Sequence, residues 1–433
     1  MKLVVTVLEE TCDAAVAAIR ALELPHDMVE VRAEGFADID VHALRAATDK
    51  PMILTFRSES SGNVGRGFSP PPPGEGGLKP RPTFGTSVLK AALVAGIDYV
   101  DVEWGENVVV DDPARTVISH HDYEGVTDVE EIMAKMRALR CAYTKLAATP
   151  RNFSDNERLL QLLPGTVIGM GERGLYSRIL APFRGSELAF VAANRSAAPG
   201  QLTLERAHEI YGDRPRSAER VFAIVGNPAG HSLSPVIHNR LFREKDVNAA
   251  YTIASIESFD EIVDAFLRGE PCGLSVTTPF KEDALRVAAE VGENARRARA
   301  VNTLVNVNGR ILADNTDVDG FAALLGKQTK AAVLGKGPTA RAAMVALEDA
   351  RIPSTIYDRS NMHTLAAFDG DLIVNTLPPE ADVDIPRCHT YIEAAYSGSP
   401  RNVDARVRIT GLDLLHAQAV RQHQLFMKVF DGL

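Results

Sequence analysis

Residues 141–149 read C-A-Y-T-K-L-A-A-T, a short apolar run of strand character that contains one lysine, Lys145. Burial strips hydration from an ammonium, lowers the pKa of such an amine and leaves a nucleophile able to attack a ketone. A lysine that snorkels to solvent from a strand end is the plainer alternative. The flanking sequence bears on the choice. Short β-branched runs recur at 3–7, 28–32, 52–56, 99–102, 116–119, 142–146, 166–170 and 188–192, with helical periodicity between them. Eight strands alternating with helices predict a (β/α)8 TIM barrel, and an open doubly wound sheet is the other arrangement the pattern allows.

In such a barrel the chemistry collects at the C-terminal strand ends. Glu30 and Arg32 end the second run, Arg57 follows the third, Glu103 the fourth and His121 the fifth; Lys145 stands on the sixth and Arg178 after the seventh. The expected pocket holds one amine, one imidazole and several guanidinium groups. Arginine binds carboxylates in a bidentate fashion, lysine forms an imine and histidine moves a proton, so the reading favours an anionic ketone as substrate. Taken singly, each arginine reads as a surface ion pair; their arrival at one rim favours the pocket.

The totals set outer bounds. At 433 residues the length allows about three domains, and 45% hydrophobic with 24% charged residues is ordinary for a soluble globular chain. A formal charge of −10 gives no reason to expect nucleic acid or an anionic membrane as partner. Cys12, Cys141, Cys272 and Cys388 lie far apart without C-x-x-C spacing, which implies reduced thiols and neither a disulfide framework nor a metal site. The N-terminal apolar run is too short for a signal peptide and nowhere do 18 apolar residues follow one another, so a cytoplasmic protein is expected.

E-V-R at 30–32, T-F-R-S at 55–58, S-H-H-D-Y at 119–123, the lysine strand, S-R at 177–178 and A-P-G-Q at 198–201 resemble the type I 3-dehydroquinate dehydratases, in order, nearly throughout residues 1–212. The resemblance implies that Lys145 forms the imine with the C3 ketone and that His121 removes the C2 proton and later protonates the departing hydroxyl. It implies too that Arg178 holds the substrate carboxylate, with Glu30, Arg32, Arg57 and Gln201 lining the pocket. Two positions depart from the family. Its glutamate in an E-G-G turn is Ser61 here, while an E-G-G occurs at 75–77 after an inserted Gly/Pro-rich stretch, which leaves Glu75 to orient His121. The stretch itself, with Pro70–Pro73, reads as a rim-loop lid, or else as a polyproline ligand for another domain. Ala197 replaces a serine and removes one hydroxyl contact.

The charged, unpatterned segment 213–220 is a linker to a second unit that starts with an apolar strand at 221–225. The stretch G-N-P-A-G-H-S-L-S-P follows, and in an extended segment Ser232 and Ser234 would present both hydroxyls on one side, able to grip a carboxylate; a simple helix cap is the plainer use. With G-L-S-V-T-T-P-F-K at 273–281, A-V-N-T-L at 300–304 and D-N-T-D at 314–317, the second unit resembles the shikimate dehydrogenases. By that resemblance Lys281 and Asp317 form the catalytic dyad, while Ser232, Ser234, Thr277, Asn302 and Gln418 bind the carboxylate and ring hydroxyls. Tyr396 joins them from the family's final strand. Ser275 stands where the family has asparagine. An ammonium beside a carboxylate suits the proton transfer that must accompany hydride transfer at a carbon bearing oxygen, although an ordinary salt bridge has the same composition.

Residues 331–341, A-A-V-L-G-K-G-P-T-A-R, give a strand, G-x-G-x-x-A and a helix, with Gly335, Gly337 and Ala340 at the pyrophosphate turn. After the next strand, Arg359 suits the 2′-phosphate of NADP and Asp358 the free ribose of NAD; NADP is favoured and NAD stays open. Asn375 opens N-T-L-P in place of the family's N-A-T-P, and the short gap after Ser360 implies a trimmed lobe.

The expected organisation is therefore a dehydratase barrel at 1–212, a linker at 213–220, a substrate lobe at 221–327 with helix 412–433 packing back on it, and a Rossmann-like NADP lobe at 328–411. Such a chain would convert 3-dehydroquinate to 3-dehydroshikimate and then to shikimate. A second unit acting on quinate, and a non-catalytic metabolite sensor, are the rival readings.

Overall fold

The computed structural model describes residues 1–57, 86–106, 108–396, 398 and 401–431. Two compact units divide the chain, Met1–Ala218 and Glu219–Leu433, each with its own core.

In the first unit the β-branched runs become eight strands: β1 (Lys2–Leu8), β2 (Met28–Arg32), β3 (Met52–Thr55), β4 (Tyr99–Glu103), β5 (Thr116–Asp122), β6 (Tyr143–Ala148), β7 (Thr166–Gly169) and β8 (Leu188–Ala192). They pair in parallel in the order β7-β6-β5-β4-β3-β2-β1-β8. The ends meet at an isolated parallel bridge, Gly165 with Ser186, so the barrel is nearly closed, with a thin seam.

Strand alternation decides which side chains enter the barrel. Val4, Met28, Ile53, Val117 and Leu188 form an inner apolar floor with Tyr99, Tyr143 and Phe190. Two residues further along the same strands, the same phase carries Thr6, Glu30, Thr55, Asp101, Ser119 and Lys145, a polar layer above that floor. The opposite phase, with Val29, Val31 and Leu54, packs outward against helix Cys12–Arg20. Leu146, next to Lys145, lies outside with Met133 and Leu159.

The second unit holds two sheets. The first contains β9 (Arg220–Gly226), β10 (Ala249–Ser255), β11 (Gly273–Val276), β12 (Glu290–Val291), β13 (Thr303–Val307) and β14 (Arg310–Asp314), in the order β10-β9-β11-β13-β14-β12. Helix Gly411–Asp431 covers it, with the Phe426 ring 4.8 Å from that of Phe222. The other sheet is all parallel: β15 (Ala331–Leu334), β16 (Ser354–Tyr357), β17 (Leu372–Asn375), β18 (Cys388–Glu393) and β19 (Ala405–Ile409), in the order β16-β15-β17-β18-β19. Only a 3-10 turn, Met362–Ala367, joins β16 to β17 where a doubly wound fold usually has a helix. The edge strand β19 was not expected from the sequence, because A-R-V-R-I is largely exposed and carries no apolar run. Among the described residues no helix is long and apolar enough to cross a membrane.

Candidate active sites

Lys145 is 5% exposed, as its apolar run implies, but its amine does not face apolar groups alone. Nζ lies 3.2 Å from Asp101 Oδ2 and 3.4 Å from Glu30 Oε1, with the Phe190 ring centroid 4.1 Å away. The hydration lost on burial is thus replaced by two carboxylates and an aromatic face.

Arg57 occupies the centre of the polar layer. Its Nη1 donates to Asp101 Oδ1 and Glu103 Oε2, both at 2.9 Å, and its Nη2 to Asp101 Oδ2 at 3.0 Å. Burial disfavours the guanidinium charge, but Asp101 and Glu103 outweigh it and hold the pKa above the ordinary value. Burial likewise works against ionised Asp101, and Arg57 and Lys145 overcome it, holding that carboxyl well below the usual range.

His121 is set by Glu103, which accepts from its backbone N at 2.9 Å and pairs with Nδ1 at 2.8 Å. Burial, and then the charge of Arg57, push the imidazole pKa down to about 4 despite the pull of Glu103. The ring is neutral near pH 7 and has the protonation state of a base. Glu30 accepts from Thr6 Oγ1 at 2.7 Å and Thr55 Oγ1 at 2.9 Å. Gln201 reaches the same group by donating to Thr6 Oγ1 at 3.3 Å. Its Oε1 is held by the backbone N of Ala197 at 2.8 Å, so the residue that lacks the family hydroxyl still fixes the amide.

Of the arginines expected at this rim, Arg57 lies in the polar layer itself, where Asp101 and Glu103 pair with it. Arg32 pairs with Glu34. Arg178 donates through Nε to the Gly169 carbonyl at 2.8 Å, and burial lowers its pKa to about 10. Among the described residues no carboxylate pairs with Arg178, so its charge remains available to an anion. Glu75 and Pro70–Pro73 lie outside the described residues. Asp101 was missed in the sequence, although it sits two residues before Glu103 in V-D-V-E and so on the same inner face.

In the second unit Lys281 Nζ contacts Asp317 Oδ2 at 2.5 Å, and Asn302 Nδ2 donates to Asp317 Oδ1 at 2.8 Å. The D-N-T-D sequence explains the placement: Asn315 caps helix Thr316–Leu324 and puts Asp317 in the first turn, where the helix end favours a carboxylate. Gln418 accepts from Thr316 Oγ1 at 2.9 Å, so Lys281, Asp317, Asn302 and Gln418 converge. Thr339, from the G-x-G-x-x-A segment, accepts from Lys281 Nζ at 3.4 Å.

Ser232 and Ser234 are both buried, but not in the way the extended-segment argument requires. Leu233 between them is helical, with φ −90° and ψ −2°, so alternation does not apply. Ser232 Oγ instead accepts from Ser234 N at 3.1 Å at the start of helix Ser234–Glu244, and the two hydroxyls bond Tyr396 and Tyr251 respectively. Thr277 is half-buried, just past β11. Ser275 bonds Tyr251 and donates to Gln422 Oε1 at 2.7 Å. Gln422, one helical turn beyond Gln418, thus brings an amide to Ser275 and Thr303, and the sequence reading missed it.

The dinucleotide turn fits its expected ligand. Gly335 has φ +104°, and a Cβ there would meet Thr376 Oγ1 at 2.6 Å; around Gly337, which caps helix Pro338–Asp349, a Cβ would meet nothing within 4 Å. Ala340 is fully buried beneath. An open, glycine-lined helix start of twelve residues can accept a pyrophosphate. Asp358 accepts from Ser360 N at 2.8 Å and pairs with Lys336 Nζ at 3.1 Å, bonds that lower its pKa to about 2. Arg359 is exposed. Asn375 is fully buried, donates to Tyr391 OH at 3.0 Å and to Glu393, and accepts from Leu377 N, so it props the sheet.

A barrel with an amine and an imidazole on one inner face, followed in the chain by a unit bearing a lysine–aspartate pair beside a Rossmann-type turn, defines a two-unit α/β protein. The comparisons name the families. The family described as type I 3-dehydroquinase matches residues 3–216, and the shikimate dehydrogenase substrate binding domain matches 224–304, so each unit carries a stretch similar to one of these two families. It is 29% identical over 326 residues to an Arabidopsis thaliana protein named bifunctional 3-dehydroquinate dehydratase/shikimate dehydrogenase, chloroplastic, covering 70% of this chain and 52% of that one. It is 30% identical over 360 residues to a pentafunctional AROM polypeptide of Lachancea thermotolerans, covering 76% and 22%. The chain therefore spans about half the length of the plant relative and about a quarter of the AROM polypeptides. A solved structure of the dehydroquinate dehydratase and shikimate dehydrogenase from S. pombe AroM aligns at 21% identity and a TM-score of 0.40, covering 100% of this chain and 98% of that one.

Proposed function

We propose that the chain is bifunctional, dehydrating 3-dehydroquinate to 3-dehydroshikimate in the barrel and reducing that ketone to shikimate with NADPH in the second unit. Residues 1–212 are read as the dehydratase, 221–327 as the substrate lobe and 328–411 as the cofactor lobe. The observation that carries the reading is the placement of Lys145 and neutral His121 on one inner face, tied together by Asp101 and Arg57.

The Lys145 amine condenses with the C3 ketone and releases water. His121 then takes the C2 proton and returns it to the departing hydroxyl, which leaves as water; hydrolysis of the imine consumes one water and frees the amine. The net change is loss of one water. Arg178, which has no acidic partner among the described residues, suits the substrate carboxylate. In the second unit Lys281 protonates the carbonyl oxygen, held by Asp317, which Asn302 fixes from its other side. When bound, the nicotinamide cofactor supplies the hydride. NADP is favoured because Lys336 already neutralises Asp358 and Arg359 stands exposed beside it.

Borohydride added with 3-dehydroquinate should fix a covalent adduct on Lys145, located by peptide mapping. An adduct on another lysine, or none while turnover proceeds, sinks the imine assignment. Consumption of NADPH with 3-dehydroshikimate tests the other half.

A further inference from the structure

Glu103 grips His121 at two points, the backbone N at 2.9 Å and Nδ1 at 2.8 Å. Its Oε2 also accepts from Arg57 Nη1 at 2.9 Å, while Arg57 Nη2 lies 3.4 Å from His121 Nε2. A guanidinium has donors only, so the Nε2 facing it is the acceptor and the ring proton belongs on Nδ1, toward Glu103. That tautomer puts the lone pair on Nε2, which can take a proton in exchange for its long contact with Arg57. Arg57 in turn holds Asp101, which holds Lys145, so one cation braces the imidazole's carboxylate against the amine's.

We propose that Glu103 is the positioning residue that orients His121 and fixes its tautomer, with Arg57 serving as the brace between Glu103 and Asp101. The proposal rests on the dehydratase reading. It places at a strand end the role expected of Glu75, and a group on a strand is firmly held. A carboxylate opposite Nδ1–H also stabilises the imidazolium that forms when Nε2 takes the substrate proton, which strengthens the contact at the moment of transfer.

The full-length chain, labelled with ¹⁵N in its imidazoles and with the His121 signals assigned through His121→Asn, tests this directly. Wild type should show a protonated Nδ1 and a bare Nε2. Glu103→Ala should populate both tautomers and lower the dehydration kcat by at least about tenfold, within the roughly 10²–10⁴-fold that general base catalysis supplies. KM should change little. Glu103→Gln keeps an acceptor and should recover most of the tautomer, yet without the charge its acid limb in kcat/KM should sit at lower pH than wild type. Glu75→Gln should keep the wild-type tautomer. Shikimate oxidation by the second unit monitors the amount of folded chain. The proposal is overturned if Glu103→Ala retains the wild-type tautomer and acid limb. Absence of dehydratase turnover in wild type would overturn the functional reading instead, and the nitrogen signals would still judge Glu103.

Discussion

The Asn302 amide and the Lys281 ammonium take opposite oxygens of Asp317, at 2.8 Å and 2.5 Å, so that carboxylate is clamped from both sides. Asn302→Ala removes one clamp and leaves Oδ1 buried with a lost donor, a cost of about 1–3 kcal/mol. If the loss is felt during proton transfer, kcat/KM for shikimate should fall roughly tenfold to a hundredfold, since each factor of ten is about 1.4 kcal/mol. Steady-state rates at fixed cofactor measure it. An unchanged rate would mean that Asp317 is placed by its helix cap alone.

Asp101 anchors the barrel's polar layer, and its removal takes one carboxylate each from Arg57 and Lys145, which keep Glu103 and Glu30. Asp101→Ala should cost about 3 kcal/mol, the low end for breaking a buried pair, because each cation retains one carboxylate. Urea denaturation of the full chain, followed through the first unit, checks the figure. Because the folded pKa lies below the unfolded value, the contribution is full above the unfolded pKa and is lost as pH falls through the folded one. Asp101→Ala should therefore flatten the acid side of the stability profile; an equally steep acid loss in the variant would count against this role.

How far such contacts were legible depended on whether they were local or crossed the barrel. Lys145 declared itself because a charge inside an apolar strand is an anomaly that periodicity exposes. Asp101 shares that phase in V-D-V-E, but its partners come from β6 and from the end of β3, over forty residues away in each direction, and no local pattern encodes such a pairing. The extended-segment reading of Ser232 and Ser234 failed for the opposite reason. Two-residue spacing was read as strand alternation, and one helical residue, Leu233, undid it. Gln422 was hidden in a helix whose pattern marks a buried face without saying what that face touches.

Cofactor preference is readable from the turn that ends β16. A bound 2′-phosphate would gain from Arg359 and from Lys336, once the latter turns from Asp358. Arg359→Ala should weaken 2′,5′-ADP about tenfold or more while leaving 5′-AMP nearly unchanged, as expected for loss of one charge-assisted contact worth roughly 1.5–3 kcal/mol. Calorimetric titration of the two nucleotides separates the cases. Equal weakening of both would place Arg359 against the adenine or the ribose.

Helix Ser234–Glu244 and helix Gly411–Asp431 each contribute a buried histidine, His238 and His423, with ring centroids 6.1 Å apart. His238 Nε2 pairs with Gln422 Oε1 at 3.1 Å, whereas neither nitrogen of His423 has a hydrogen-bond partner among the described residues. Burial lowers both pKa values, to about 3 for His238 and about 4 for His423, with Lys245 adding to the shift of His423. The unfolded value is about 6.5. Between those limits the unfolded chain binds protons that the fold refuses, so the unit should be fully stable above about pH 6.5 and lose stability as pH falls below it. Each histidine should contribute up to about 1.4 kcal/mol per pH unit in that window. His423→Leu removes an unsatisfied polar ring in favour of an apolar side chain, a change that is neutral or stabilising when no partner is lost. Its denaturation midpoint at pH 8 should match or exceed that of wild type, and its decline from pH 6 to pH 5 should be shallower. A clear loss of stability at pH 8 would instead show that the ring holds a buried water whose bonds the leucine cannot replace.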